Sequence, residues 1–150
     1  MTFDKNEYFD LLELQKKFRN QGKSFSNEDP VNYRKFITYR GALSSHIYWE
    51  NREKYVSLLK RFLNDCVSAD DFTYEFLNLW RENRDSLSTR EIDFEPYPKA
   101  IEFCRIVSAV FTDCDMFDPD AEENEEYNAL WLKTSIKQKL LKMQEYLLRS

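Results

Sequence analysis

Eight carboxylates fall within fourteen residues of this chain, and no lysine or arginine interrupts them. They are Asp113, Asp115, Asp118, Asp120, Glu122, Glu123, Glu125 and Glu126. Carboxylates grouped in this way can bind calcium or magnesium, act as an acid and base pair, or attract a positively charged partner. Met116 and Phe117 lie inside the same block and would add apolar contact area to a partner-binding surface.

The spacing of the acids argues against a calcium loop. Asp118, Asp120 and Glu122 match positions one, three and five of such a loop. Glu123 stands where the loop needs glycine, and Ala129 stands where it needs a bidentate glutamate. A catalytic carboxylate normally needs an apolar pocket that raises its pKa, whereas crowded acids favour solvation. We therefore predict no metal site, and a carboxylate–metal enzyme is only a distant alternative.

The rest of the chain offers few other reactive groups. His46 is the only histidine, and Gly22 and Gly41 alone cannot form a phosphate-binding loop or a dinucleotide motif. The three cysteines form no close pair and are predicted to be free, buried apolar side chains. They are Cys66, Cys104 and Cys114. We predict that the protein is not an enzyme and uses no cofactor.

Charge is divided unevenly along the chain. Residues 70–126 hold 17 acidic and 5 basic residues, while the remainder holds 10 acidic and 17 basic residues, for a net charge of −5. Phosphate contacts require lysine and arginine, so this region is predicted not to bind nucleic acid directly. Its field extends over about 10 Å at ~0.1 M salt and favours a basic protein partner. A solvated loop before a helix N-terminus is the alternative interpretation of the acidic block.

Composition and periodicity predict one all-α domain over residues 1–150, a single bundle of five to six helices. The chain is 42% apolar and 16% aromatic and contains two glycines, and it shows no strand alternation. No apolar stretch approaches the ~20 residues of a membrane span, and the first ten residues lack signal-peptide features. We expect a cytoplasmic monomer or small homo-oligomer that does not bind membranes.

Helical spacing and capping residues predict where the helices lie. Gly22 is a predicted C-cap, Asp29 precedes proline as a predicted N-cap, and Ser68 is predicted to cap a further helix. Four lysines of the last helix are predicted to face solvent, at positions 133, 137, 139 and 142. The predicted helices are Asp4 to Asn20, Pro30 to Gly41, Leu43 to Cys66, Ser68 to Leu87, Ile101 to Cys114 and Leu130 to Leu147, with a loop from Ser88 to Pro98. The second could also be continuous with the third.

Several short segments also carry a family resemblance. They are Arg61-Phe62-Leu63, Ser68-Ala69-Asp70-Asp71-Phe72, Leu79-Trp80, Arg84-Asp85 and Asp118-Pro119-Asp120. Over residues of about 55–147 the chain resembles the colicin D type, or self-protective colicin-like, immunity proteins. Residues 1–54 form a predicted helical extension that the resemblance does not cover.

The resemblance implies a small helical bundle that binds the nuclease domain of a bacterial toxin. In that family an acidic face resembles the transfer-RNA substrate of the toxin, and Asp115, Asp118 and Asp120 lie on the matching motif. We therefore expect an immunity protein that inhibits a basic, tRNase-like toxin domain through the eight carboxylates together with Met116 and Phe117. An unrelated acidic helical interaction module or regulator is the alternative.

Overall fold

The computed structural model describes residues 4–86 and 97–148, and over these ranges the chain forms seven α-helices and no strand. The helices are α1 (Lys5–Asn20), α2 (Phe25–Glu28), α3 (Pro30–Glu50), α4 (Arg52–Leu63), α5 (Ala69–Asp85), α6 (Pro98–Met116) and α7 (Ala129–Leu148). The predicted all-α bundle is confirmed, with the short α2 as an additional helix. The predicted loop from Ser88 lies almost entirely outside the described residues. None of the described helices is both long and apolar enough to cross a membrane.

Helix α3 confirms the alternative that the second predicted helix continues into the third, and it differs from the prediction at its C-terminal end. It continues through Gly41, because one glycine in a helix interior costs only about 1 kcal/mol and does not stop it. The predicted continuous helix from Leu43 to Cys66 is wrong, since α3 ends at Glu50 and α4 begins at Arg52. The Asn51 side-chain amide donates to the Ile47 carbonyl at 2.9 Å, and this contact competes with the backbone ladder.

Helix α4 ends earlier than its apolar spacing indicates. The Cys66 amide donates to the Arg61 carbonyl at 2.8 Å, and the Asp65 amide donates to the Phe62 carbonyl at 3.1 Å. Asp65 adopts a φ of 60°, the conformation that glycine usually supplies at such a helix end. Cys66 therefore lies beyond the helix and is exposed, so the prediction of a buried thiol is wrong at this position.

The three helix ends with conventional signals are confirmed. Gly22 follows α1 with a φ of 68°. The Asp29 carboxylate accepts a hydrogen bond from the Asn32 amide at 3.2 Å, and Ser68 Oγ accepts one from the Asp71 amide at 3.1 Å. These side chains satisfy backbone donors that the first turn of a helix leaves without a partner.

The described residues pack around two hydrophobic cores. The main core lies between α4, α5, α6, α7 and the C-terminal part of α3, and Tyr55, Phe72 and Phe103 are fully buried in it. The smaller core joins α1 and α2 to the N-terminal part of α3. It consists of Tyr8, Leu11, Phe25, Phe36, Tyr39 and Leu43. The N-terminal extension thus has its own core, and α3 belongs to both.

The three thiols should react at different rates. Cys66 is exposed, whereas burial, followed by the negative charge of Asp113, raises the pKa of Cys114 to about 12. Burial also raises the pKa of Cys104. Because the thiolate is the reactive form, we expect iodoacetamide near pH ~8 to label only Cys66 rapidly in the folded protein.

Peptide mass spectrometry would measure this labelling. All three cysteines should react in denaturant, and the Cys66→Ser variant should show no rapid labelling when folded. Rapid modification of Cys114 in the folded protein would contradict the packing described here.

Candidate partner-binding site

Seven of the eight predicted carboxylates are exposed at one end of the bundle. They lie on the last turn of α6 and on the segment between α6 and α7, residues 117–128, which we call the acidic loop. Met116 is 41% exposed beside them, whereas Phe117 is half-buried and packs against the main core. The exposed carboxylates are Asp115, Asp118, Asp120, Glu122, Glu123, Glu125 and Glu126.

Asp113 is the exception, because the structure places it inside the bundle. It is 7% exposed, and Lys139 Nζ lies 3.0 Å from Asp113 Oδ2. Ser135 Oγ donates to the same oxygen at 2.7 Å. The prediction that Lys139 faces solvent is wrong, because its ammonium group forms a largely buried ion pair with Asp113. Asp113 therefore joins α6 to α7, and we assign it a structural role.

The two ends of the acidic loop are held together by the backbone. The Asp118 amide donates to the Tyr127 carbonyl at 2.9 Å. The Asp118 carboxylate in turn accepts a hydrogen bond from the Asp120 amide at 2.9 Å, which forms a tight turn at the start of the loop. Residues 118–127 therefore form a closed loop with a defined backbone path.

Asn128 is a buried residue that holds the loop backbone and also caps the N-terminus of α7. It is 8% exposed, and its side-chain amide donates to the carbonyls of Glu122 at 3.1 Å and Glu123 at 2.9 Å. Its side-chain oxygen accepts from the Trp131 amide at 2.9 Å, as an N-cap does. The sequence prediction missed this residue, although an asparagine just before an apolar helix is a recognisable N-cap signal.

Tyr127 adopts an uncommon backbone conformation at the end of the loop. Its φ is 60°, and a non-glycine residue in this region costs roughly 1–2 kcal/mol. Its ring packs edge-on against Trp131, with 5.0 Å between the ring centroids. This packing and the neighbouring Asn128 contacts keep the chain in the strained conformation, so the loop geometry is imposed by the surrounding structure.

The carboxylates of the loop are not neutralised by nearby lysines. Lys133 forms an ion pair with Asp65, and Lys139 pairs with Asp113, so both of these α7 lysines are engaged elsewhere. None of the seven exposed carboxylates forms an ion pair with another residue that the structure describes. Their charges therefore add up at this end of the molecule and favour a cationic partner.

The remaining reactive groups lie apart from the loop. His46 Nε2 is 2.9 Å from Glu50 Oε1 within α3. Among residues 4–86 and 97–148, no three His, Cys, Asp or Glu side chains form a group that could hold a metal ion. What the loop presents is therefore a set of exposed charges on a defined backbone.

Removing the Asn128 side chain should destabilise the protein measurably. Asn128→Ala removes the α7 cap and the donor to the Glu123 carbonyl, while the Glu122 carbonyl keeps the Glu125 amide as a donor. We expect the free energy of unfolding to fall by about 2–3 kcal/mol. Asn128→Asp retains the capping oxygen and should cause a smaller loss. Urea unfolding would measure both variants.

Asn124 offers a matched control within the same loop. It is exposed, and Asn124→Ala should change the free energy of unfolding by less than about 0.5 kcal/mol. Equal stability of the Asn128→Ala and Asn124→Ala variants would show that the Asn128 contacts do not hold the loop.

The fold and the site define a small all-helical protein that presents a closed, uniformly acidic loop. The model of a protein family described as bacterial self-protective colicin-like immunity matches residues 52–143. The chain therefore belongs to this family, and the resemblance predicted from its sequence is confirmed. The family places it among toxin-inhibiting immunity proteins, a class that is not normally catalytic.

The family match begins at α4 and includes α5, α6, the acidic loop and most of α7. Helices α1, α2 and α3 precede it. A search of curated proteins and a search of solved structures each found no match to the chain. The assignment to the family therefore rests on the part of the chain that forms the main core and the acidic loop.

Proposed function

We propose that the protein inhibits a nuclease toxin by placing the acidic loop in the toxin's basic active-site cleft. The observation that carries this proposal is the set of seven exposed carboxylates on and beside a closed loop. A nuclease binds the phosphates of its substrate through lysine and arginine. Carboxylates carried on an ordered backbone would pair with those cationic groups and exclude the nucleic acid.

The closed backbone of the loop favours tight binding. Ordering a flexible segment on association costs free energy, and the hydrogen bonds of Asp118 and Asn128 order this loop in the free protein. Met116 adds an exposed apolar side chain beside the charges. The carboxylates would then increase the association rate and the specificity. The apolar side chain would contribute binding energy that salt does not screen.

The finer identity of the partner follows from the resemblance to colicin D type immunity proteins. We propose that the partner is a basic, tRNase-like toxin domain and that this chain binds it in the cytoplasm as a monomer or small homo-oligomer. Neither nucleic acid nor membrane takes part in the proposed complex.

A neighbouring toxin gene would test the proposed function. Cells that express the toxin domain encoded beside this chain should survive only when the chain is present. In calorimetry, a catalytically inactive form of that domain should bind the chain, and transfer RNA should compete. Binding without protection would favour the alternative of an unrelated interaction module or regulator. Protection without competition by RNA would contradict the proposed nucleic-acid mimicry.

A further inference from the structure

Tyr74 is the most exposed aromatic side chain among the described residues, at 70%. It lies on the second turn of α5, and no hydrogen bond or ring contact joins it to another residue in the described part of the chain. Its ring therefore contributes little to either core. Exposed tyrosines of this kind are enriched in protein interfaces and among the side chains that dominate binding energy.

The packing of α5 against α6 places Tyr74 near the acidic loop. The Thr73 side chain lies close to the Cys114 thiol, and the centroids of the Trp80 and Phe111 rings are 4.4 Å apart. The second turn of α5 is thus beside the last turn of α6, which leads directly into the loop. Tyr74 is one residue beyond Thr73.

Asp115 occupies the equivalent position on α6. It follows Cys114 and is exposed, as Tyr74 is. Successive helical residues are about 100° apart, and the two helices run antiparallel, so both side chains turn toward the outer side of the seam between α5 and α6. Tyr74 and Asp115 therefore belong to one surface.

Two further carboxylates flank Tyr74 on its own helix. Asp70 and Asp71 are exposed, and they lie four and three residues before it, which places them on the same helical face. An aromatic ring bordered by carboxylates is well suited to an arginine or lysine side chain. The ring face attracts the cation, and the carboxylates accept its hydrogen bonds.

We propose that Tyr74 is an anchor residue for the toxin domain. Together with Asp70, Asp71 and Asp115 it forms a patch, the α5–α6 patch, that continues the acidic loop into one binding surface. The patch receives an arginine or lysine side chain of the basic partner over the tyrosine ring. This inference rests on the proposed function and extends the partner-binding surface beyond residues 113–126.

Calorimetry with the catalytically inactive basic domain of the neighbouring toxin tests the inference. Tyr74→Ala should weaken binding by roughly 30-fold or more, as expected for an aromatic anchor, whereas Tyr74→Phe should remain within about threefold of the wild type. Because Tyr74 is exposed, both variants should melt at the wild-type temperature. Leu141→Ala is a matched control, since Leu141 is 57% exposed on α7 and should not affect binding.

The outcomes separate the two proposals. If the wild-type chain binds and protects while Tyr74→Ala binds equally well, the anchor role is overturned and the proposed function stands. If the wild-type chain neither binds nor protects, the proposed function fails, and the anchor role fails with it.

Discussion

The double variant Asp120→Lys with Glu123→Lys is expected to lose protection against the toxin while keeping the wild-type fold. Both residues are exposed, and no hydrogen bond or ion pair holds either side chain to another described residue. The variant removes two carboxylates and adds two ammonium groups where the proposed partner is cationic. Close interfacial charge pairs contribute about 1.5–7 kcal/mol each, so binding should weaken by about 1,000-fold or more. Cell survival and calorimetry would measure the effect.

The choice of positions in this variant follows from the loop geometry. Asp118 is unsuitable because its carboxylate accepts the Asp120 amide, and a lysine there would disturb the turn. Asp10→Lys with Glu28→Lys is a matched control, since both residues are exposed on α1 and α2, before the family match. The control has the same change in net charge and should bind normally. Full protection by the loop variant would rule out the acidic-loop mechanism.

Lys139→Met is expected to cause the largest loss of stability among the substitutions considered. The variant leaves the Asp113 carboxylate, whose side chain is 10% exposed, without its cation. Breaking a buried pair by removing one partner typically costs about 3–5 kcal/mol, and the remaining Ser135 hydroxyl offsets only part of that cost. Urea unfolding followed by circular dichroism would measure the change.

Two further variants test whether the buried pair is responsible for this loss. Lys137→Met removes an exposed lysine from the same helix and should change the free energy of unfolding by less than about 0.5 kcal/mol. Adding Asp113→Asn to Lys139→Met removes the uncompensated charge and should recover part of the loss. Similar losses for Lys137→Met and Lys139→Met would mean that the pair is not a specific anchor.

The helix ends show which structural features can be predicted from sequence here. Gly22, Asp29 and Ser68 are residue types whose conformational preference marks a boundary, and each was predicted correctly. Asn51 and Asp65 were missed because a polar residue on a helical repeat is usually just a surface residue. Each ends a helix through its own local contacts, and only the folded backbone reveals them.

The surface exposure of the candidate site residues was predicted to a similar extent. Seven of the eight nominated carboxylates lie at the surface, because burying a carboxylate without a cationic partner costs free energy. Asp113 could not be separated from them, since its burial depends on Lys139 in a different helix. Asn128 holds the loop by donating to the backbone carbonyls of Glu122 and Glu123. Every residue type has such a carbonyl, so the sequence does not indicate which ones accept these bonds. The role of Asp113 arises from a tertiary contact, and that of Asn128 from the folded path of the loop backbone.

The closed acidic loop has a consequence for the speed of inhibition. The backbone hydrogen bond between Asp118 and Tyr127 is already present in the free protein. The loop backbone therefore does not have to become ordered during binding. Electrostatically steered proteins associate at about 10⁸–10⁹ M⁻¹ s⁻¹ at low salt, and we expect this chain to approach that range. Rapid capture would let the protein intercept a newly made toxin before it finds its first substrate.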